Sequence, residues 1–200
     1  MPKRLAGYKA IVLMFLQAAV FIYFISLALF ASTEGSVTEI FRWIPGLGLN
    51  LSFIADGLSG AFALLITGIG FLVFLFAHLY MKNYENTGGF YLHLNLFSAS
   101  MLGLVLSGNL IQMFIFWELT TVFSFFLIGF FHEKDESRKA AFQSLFVTGF
   151  GGLCLLTGII LLGTVTGSYS ISDWILHADE IRNNGFNSGL QHTNQPGAIS

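Results

Sequence analysis

The charged residues divide the chain into long apolar stretches. Ala10 to Thr33 gives 24 residues without a formal charge, Gly57 to Met81 gives 25, and Ala140 to Ser172 gives 33. From Asn86 to His132 there are 47 residues with one formal charge, Glu118. A membrane-crossing helix needs about 20 mainly apolar residues. The longest stretch therefore suits two crossings, with Ser107-Gly108-Asn109 as the turn between them. This pattern predicts an all-α membrane protein of about five transmembrane helices, at about 11–31, 53–80, 90–107, 109–131 and 140–165.

Segments outside these helices carry their own patterns. Thr38 to Asn50 contains Trp43, Pro45, Gly46 and Gly48, which predicts a turn-rich loop at the outer membrane interface. The stretch 166–182 predicts an interfacial region with a short amphipathic helix. Ile171, Trp174, Ile175, Ala178 and Ile181 fall on one of its faces, and Asp173, His177, Asp179 and Glu180 mostly on the other. Residues 183–200 are rich in Asn, Gly, Gln and Ser and uncharged, which predicts a disordered tail.

Composition agrees with a membrane class. Apolar residues make up 54% of the chain, charged residues 10%, and mean hydropathy is +0.73. Soluble domains carry about 25% charged residues, so a soluble enzyme is excluded. Nine Lys and Arg at a net charge of −2 form no basic stripe, which excludes a nucleic-acid partner. The one cysteine, Cys154, excludes an internal disulfide and any multi-cysteine metal or iron–sulfur site. Gly149-Phe150-Gly151-Gly152 lacks the Lys-Ser/Thr ending of a phosphate loop and lies inside an apolar span. With no nucleophile–base pair and no metal-ligand cluster, the sequence predicts no cofactor, no metal and no enzyme chemistry of its own.

Basic residues set an expected orientation. The N-terminal residues 1–10 and the loops 81–89 and 132–139 hold Lys3, Arg4, Lys9, Lys82, Lys134, Arg138 and Lys139, and the opposite side holds Arg42 and Arg182. Seven against two places the N-terminus in the cytoplasm. Lys3, Arg4 and Lys9 before an apolar run also fit a secretory signal peptide. The length of that run, and the lack of a small-x-small cleavage site after it, favour a retained helix.

Glu118 is the sharpest chemical feature. It lies within about two residues of the centre of the fourth predicted helix, where an ionised side chain costs about +3 kcal/mol on insertion scales. It is tolerated there if protonated, paired with a cation or hydrated. That suits a group that loads and unloads protons; the alternative is a buried carboxyl that fixes helix packing. His78 and His93, near the cytoplasmic ends of helices two and three, are candidate relays, since imidazole titrates near neutral pH. A lone His at a membrane interface is more often a boundary residue. Asp56 reads as the cap of helix two. Asn95, Ala99, Gly103 and Ser107, with Thr148, Gly149, Gly151, Gly152 and Gly158, read as small-residue faces for close helix packing.

Several stretches in this order carry a resemblance. They are Trp43-Ile44-Pro45-Gly46-Leu47-Gly48-Leu49-Asn50-Leu51-Ser52-Phe53, Asp56-Gly57-Leu58-Ser59, Leu64-Leu65-Ile66-Thr67-Gly68-Ile69-Gly70, Phe116-Trp117-Glu118-Leu119-Thr120, Phe126-Leu127-Ile128-Gly129-Phe130 and Val147-Thr148-Gly149-Phe150-Gly151-Gly152-Leu153. Over roughly Thr38 to Arg182 the chain resembles the A subunit of multisubunit Mrp-type Na⁺/H⁺ antiporters. That subunit is related to the proton-pumping chain 5 of respiratory complex I. The resemblance implies that Glu118 matches the family's intramembrane glutamate, which pairs with a lysine on a later, broken helix. That lysine is not in this chain, so an N-terminal fragment of the subunit is expected.

The resemblance also implies partners and a location. The partners are other antiporter subunits in a hetero-oligomeric complex and the lipid bilayer, with H⁺ and Na⁺ as the transported ions. The location is a bacterial inner (plasma) membrane, crossed several times. Two alternatives stand beside this reading. One is a proton-pumping membrane subunit of a complex-I-like NADH:quinone oxidoreductase, without redox centres of its own. The other is a structural membrane fragment that transports nothing.

Overall fold

A computed structural model of the chain describes residues 3–34, 37–44, 49–81, 87–131 and 133–176. Helix α1 (Lys3–Glu34) is followed by strands β1 (Val37–Ile44) and β2 (Leu49–Ala55). Helices α2 (Gly57–Tyr80), α3 (Gly88–Val105), α4 (Leu110–Ile128), α5 (Asp135–Thr166) and α6 (Ile171–Leu176) follow. A single 3₁₀ turn, Gly129–Phe131, extends α4. Among the described residues four helices are long and apolar enough to cross a membrane: α2, α3, α4 with its 3₁₀ turn, and α5 over Asp135–Thr164. Helix α1 adds a shorter apolar segment, Ile11–Leu27. The all-α membrane class with about five helices stands.

Burial is inverted relative to a soluble protein. Phe76 and Phe146 are 66% and 75% exposed, while Thr67 is fully buried and Gln17 is 3% exposed. Apolar side chains outside and polar ones inside suit a bundle solvated by lipid, where unsatisfied polar groups must find partners within the protein. The first three helices do this with a polar clamp. Gln17 Nε2 on α1 donates to Ser98 Oγ on α3 at 3.0 Å, and Asn95 Nδ2 on α3 donates to the Leu13 carbonyl of α1 at 3.2 Å. Gly70 on α2 makes room for it, because a Cβ there would stand 2.6 Å from Gln17 Nε2. Below the clamp, Phe74 of α2 stacks on Tyr91 of α3 at 6.0 Å, packed with Ala77 and Leu94. The small residues of α3 serve more than one neighbour: Gly103 abuts the Phe116 ring of α4, and Ala99 is exposed.

The segment predicted as a loop is partly a β-hairpin, a correction to the sequence reading. Val37 pairs with Ala55 through to Ile44 with Leu49, antiparallel, with an irregularity between Arg42 and Ile44. Pro45 to Gly48 lie outside the described residues. β-Branched and aromatic residues at Val37, Thr38, Ile40, Phe41, Trp43 and Ile44, and the Leu-Asn-Leu-Ser-Phe alternation of β2, favour strands. Helix two accordingly starts at Gly57 and not at 53. Its start is set by Asp56, whose carboxylate accepts from the Ser59 N–H at 2.7 Å while Ser59 Oγ accepts from the Asp56 N–H at 2.8 Å.

The hairpin seals one end of the bundle. The turn between α3 and α4 lies against β2: the Ile54 N–H donates to the Leu106 carbonyl at 2.8 Å, and the Gly108 N–H to the Ser52 carbonyl at 2.7 Å. On its other side the Leu110 N–H donates to the Tyr169 carbonyl at 2.9 Å, and the Ile171 N–H to the Gly108 carbonyl at 3.1 Å. A Cβ at Gly108 would lie 2.7 Å from Ser52 Oγ, so glycine permits this approach. Gln112 Oε1 accepts from the Ser52 N–H at 2.8 Å and Asn109 caps α4 through the Ile111 N–H at 2.8 Å. Helix α5 ends on Gly167, at φ 72°. Helix α6 is described only to Leu176; the rest of the predicted amphipathic helix, and the predicted disordered tail 183–200, lie outside the described residues.

The Asp56 cap gives a testable contribution. The Ser59 N–H, with the Ser59 side chain next, holds the Asp56 carboxyl below its ordinary range. A folded pKa below the unfolded one gives stability that is present above the unfolded value, about 3.9. It is lost as pH falls through the folded value. Asp56→Ala should cost about 1 kcal/mol near neutral pH, and Asp56→Asn a few tenths. Thermal unfolding of the detergent-solubilised chain at pH 7 and pH 3 reads both; the Ala penalty should shrink at the lower pH.

Candidate functional site

Helix α4 carries Glu118 as the ninth of its 19 residues, the sequence LIQMFIFWELTTVFSFFLI. Apolar residues on both sides give the helix its membrane length, so position alone sets the carboxyl deep in the span. Local hydroxyls do not serve it. Thr120 Oγ1 donates to the Trp117 carbonyl at 2.7 Å, and Thr121 Oγ1 to the same carbonyl at 3.4 Å. Glu118 Oε1 is buried and has no hydrogen-bond partner among the described residues. It has no ion-pair partner among them either; the pair found there is Arg138 with Asp135, at 2.7 Å on the exposed first turn of α5.

The facing wall is α5. Gly152 is buried, and a Cβ built on it would overlap Glu118 Oε1. Thr148, one turn earlier, turns its hydroxyl to the Ser144 carbonyl at 2.7 Å. The acid thus stands between two helices with one oxygen enclosed and unpaired. Burying a charged oxygen without a donor costs several kcal/mol. A carboxyl in such a place is tolerated with a proton, a water or a cation.

The other sequence candidates lie elsewhere. The His93 ring stacks on Phe126 at 4.9 Å and 22°. Phe126 is eight residues beyond Glu118, about 12 Å of helix rise, and no hydrogen bond links the two. His78 is exposed in the last turn of α2. A groove of about 330 Å³ lies beside Phe126, lined also by Phe125, Gly129, Arg138, Ala141 and Phe142; Glu118 is not part of it. Among the described residues no three His, Cys, Asp or Glu side chains gather as a metal site. Two buried amides escaped the sequence reading: Gln17, and Gln112, whose Nε2 has no partner among the described residues. An uncharged amide interrupts an apolar run only weakly, so the gaps between formal charges did not mark either one.

Glu118 thus lies within a bundle of helices long and apolar enough to cross a membrane. The description "NADH:quinone oxidoreductase/Mrp antiporter, TM" matches residues 107–195, and "NADH-Ubiquinone oxidoreductase (complex I), chain 5 N-terminus" matches residues 43–91. The chain belongs to this family of membrane subunits shared by quinone oxidoreductases and Mrp antiporters. It is 46% identical over 167 residues to the Na⁺/H⁺ antiporter subunit A1 of Staphylococcus aureus strains JH9 and Newman. That match covers 84% of this chain and 21% of the relative, so the chain spans about a fifth of the relatives' length. In structure it is similar to a chain of the Mrp complex from Dietzia sp. DQ12-45-1b, at TM-score 0.69 and 32% identity, over 84% of this chain and 19% of the other. A chain of the archaeal membrane-bound sulfane sulfur reductase shares the fold at TM-score 0.69 and 20% identity, over 92% of this chain and 28% of that one.

Stacking on Phe126 gives His93 a testable character. His93→Phe keeps the ring and removes the titratable nitrogens. Because the aromatic stack on Phe126 is kept, ion exchange in the full subunit should stay within about twofold of the parent. Rates of Na⁺-driven pH change in everted membrane vesicles check this.

Proposed function

We propose that the chain forms the first membrane helices of a monovalent cation/proton antiporter subunit of the Mrp A type. In it Glu118 accepts and releases protons in exchange for Na⁺ moving out of the cell. One observation carries the proposal: a carboxyl at mid-span whose buried Oε1 has no donor among the described residues. A packing acid would be expected to spend its oxygens on neighbouring donors. The high identity to antiporter subunits favours exchange over redox-linked pumping. The complex-I-like reading places the same acid in a proton path and likewise gives this chain no redox centre.

The proposal includes partners. This chain's lysines are Lys3, Lys9, Lys82, Lys134 and Lys139, and all lie outside the middle of the apolar spans. The cation that switches against Glu118 therefore comes from outside this stretch of chain. Exchange belongs to an assembly of membrane subunits in a bacterial plasma membrane. Near a cation the ionised carboxyl is favoured; away from one the protonated form is favoured. Movement of the cation would pass protons between two half-paths.

Two experiments test this. Glu118→Gln keeps shape and hydrogen-bonding capacity and cannot titrate; Glu118→Asp keeps the acid and shortens its reach. With each substitution in the full subunit beside its partners, Gln should abolish salt tolerance in an antiporter-deficient host, while Asp retains part of it. Full tolerance with Gln, at normal membrane levels by immunoblot, would remove Glu118 from the proton path. Orientation is tested separately. Reporter fusions at Asn86 and Glu136 should be active only with cytoplasmic reporters, and a fusion at Gly35 only with a periplasmic one. A periplasm-active reporter at Glu136 would overturn the proposed cytoplasmic N-terminus.

A further inference from the structure

Helix α5 carries several glycines that are not equivalent. At Gly149, Gly151 and Gly158 an added Cβ would meet nothing within 4 Å. At Gly152 the Cβ would overlap Glu118 Oε1 and approach the carboxyl carbon to 3.1 Å. Real Cβ atoms do not approach neighbours so closely, so either the carboxylate or the helix has to move. Alanine is the better helix former at every one of these positions. Gly152 is the one of these four at which helix propensity is opposed by a contact inside the described structure. The same carboxyl oxygen that Gly152 admits is the one without a hydrogen-bond partner.

We propose that Gly152 is a positioning residue for Glu118: its bare backbone forms the wall against which the carboxyl is held, and so sets where the proton is presented between α4 and α5. This rests on the reading of Glu118 as the proton carrier and adds the residue that fixes its place. A methyl group at 152 would push Oε1 out of its enclosure by a distance comparable to one bond length. Proton transfer is confined to hydrogen-bond distance, and a misplacement of about 1 Å can cost on the order of 100-fold in rate. Shortening the acid by one methylene draws the carboxyl back toward α4 and returns the space that the methyl occupies.

The test places Gly152→Ala, Glu118→Asp and the double substitution in the full subunit with its partners and follows Na⁺-dependent exchange in everted vesicles. Gly152→Ala should lower the maximal rate roughly 10–100-fold, with the half-saturating Na⁺ concentration unchanged. The double variant should recover to the level of Glu118→Asp alone. Full activity of Gly152→Ala at normal membrane levels would overturn the proposal, as would a double variant no better than Gly152→Ala. If Gly152→Ala does not accumulate, Gly152→Ala with Glu118→Ala removes the collision. Restored membrane levels are then expected, and continued loss would overturn the proposal. Thermal unfolding of the assembled complex separates this inference from the functional reading. Coupling between positions 118 and 152 in a melting cycle, together with full transport by Glu118→Gln, would leave the contact standing and remove the proton role.

Discussion

Lipid offers no hydrogen bonds, and this constraint organises the whole structure. A backbone in the hydrocarbon must satisfy itself, which selects helices. Polar side chains must satisfy one another, and they do so at helix–helix contacts. Gln17, Ser98 and Asn95 tie α1 to α3 through side-chain amides and a hydroxyl, with Gly70 of α2 giving the amide its place. Hydroxyls with no cross-helix partner fold back on their own helix, as Thr67 does to the Ala63 carbonyl at 2.7 Å and Ser100 to the Leu96 carbonyl at 2.8 Å. Where the helices end, their free carbonyls and N–H groups need other partners. The hairpin, the α3–α4 turn and the segment at Tyr169–Ile171 supply them by hydrogen-bonding side by side.

Glu118 is the departure from that rule. Every nearby hydroxyl of α4 and α5 with an assigned bond is spent on a backbone carbonyl, and the carboxyl oxygen facing Gly152 is left without a donor. Proteins retain an unfavourable group of this kind where something else compensates for it or where its instability is used. The adjoining wall of α5 is glycine, so the enclosure is shaped for the acid and supplies it with nothing polar.

The long helices were legible because formal charges are the costliest residues to place in lipid, and their gaps measure span length. Glu118 was legible for the same reason, as one charge within 47 residues. The hairpin was obscured because Pro45, Gly46 and Gly48 read as a loop from sequence and the flanking alternation is only a few residues long. The amides Gln17 and Gln112 carry no charge and so left the gaps unbroken. Gly152 appeared as one small residue among many. Its difference from Gly149 and Gly151 is a matter of which way a helix face turns, and local composition does not encode the rotation of α5 about its axis. His93 was legible as a candidate relay by residue type and depth, while its stacking on Phe126 depends on the pairing of α3 with α4 and was not legible.

The role proposed for Glu118 turns on electrostatics. A unit positive charge about 4 Å from a carboxylate contributes about 4 kcal/mol at the effective dielectric typical near protein surfaces, against about 1 kcal/mol in water. Each 1.36 kcal/mol changes a protonation equilibrium tenfold, so approach or withdrawal of one cation can change proton occupancy by roughly a thousandfold. That leverage is largest for an acid with few fixed partners, because each permanent donor would hold the carboxylate ionised at all times. On the proposed role of Glu118, an Oε1 without a donor among the described residues is the property that would allow a moving cation to control the acid.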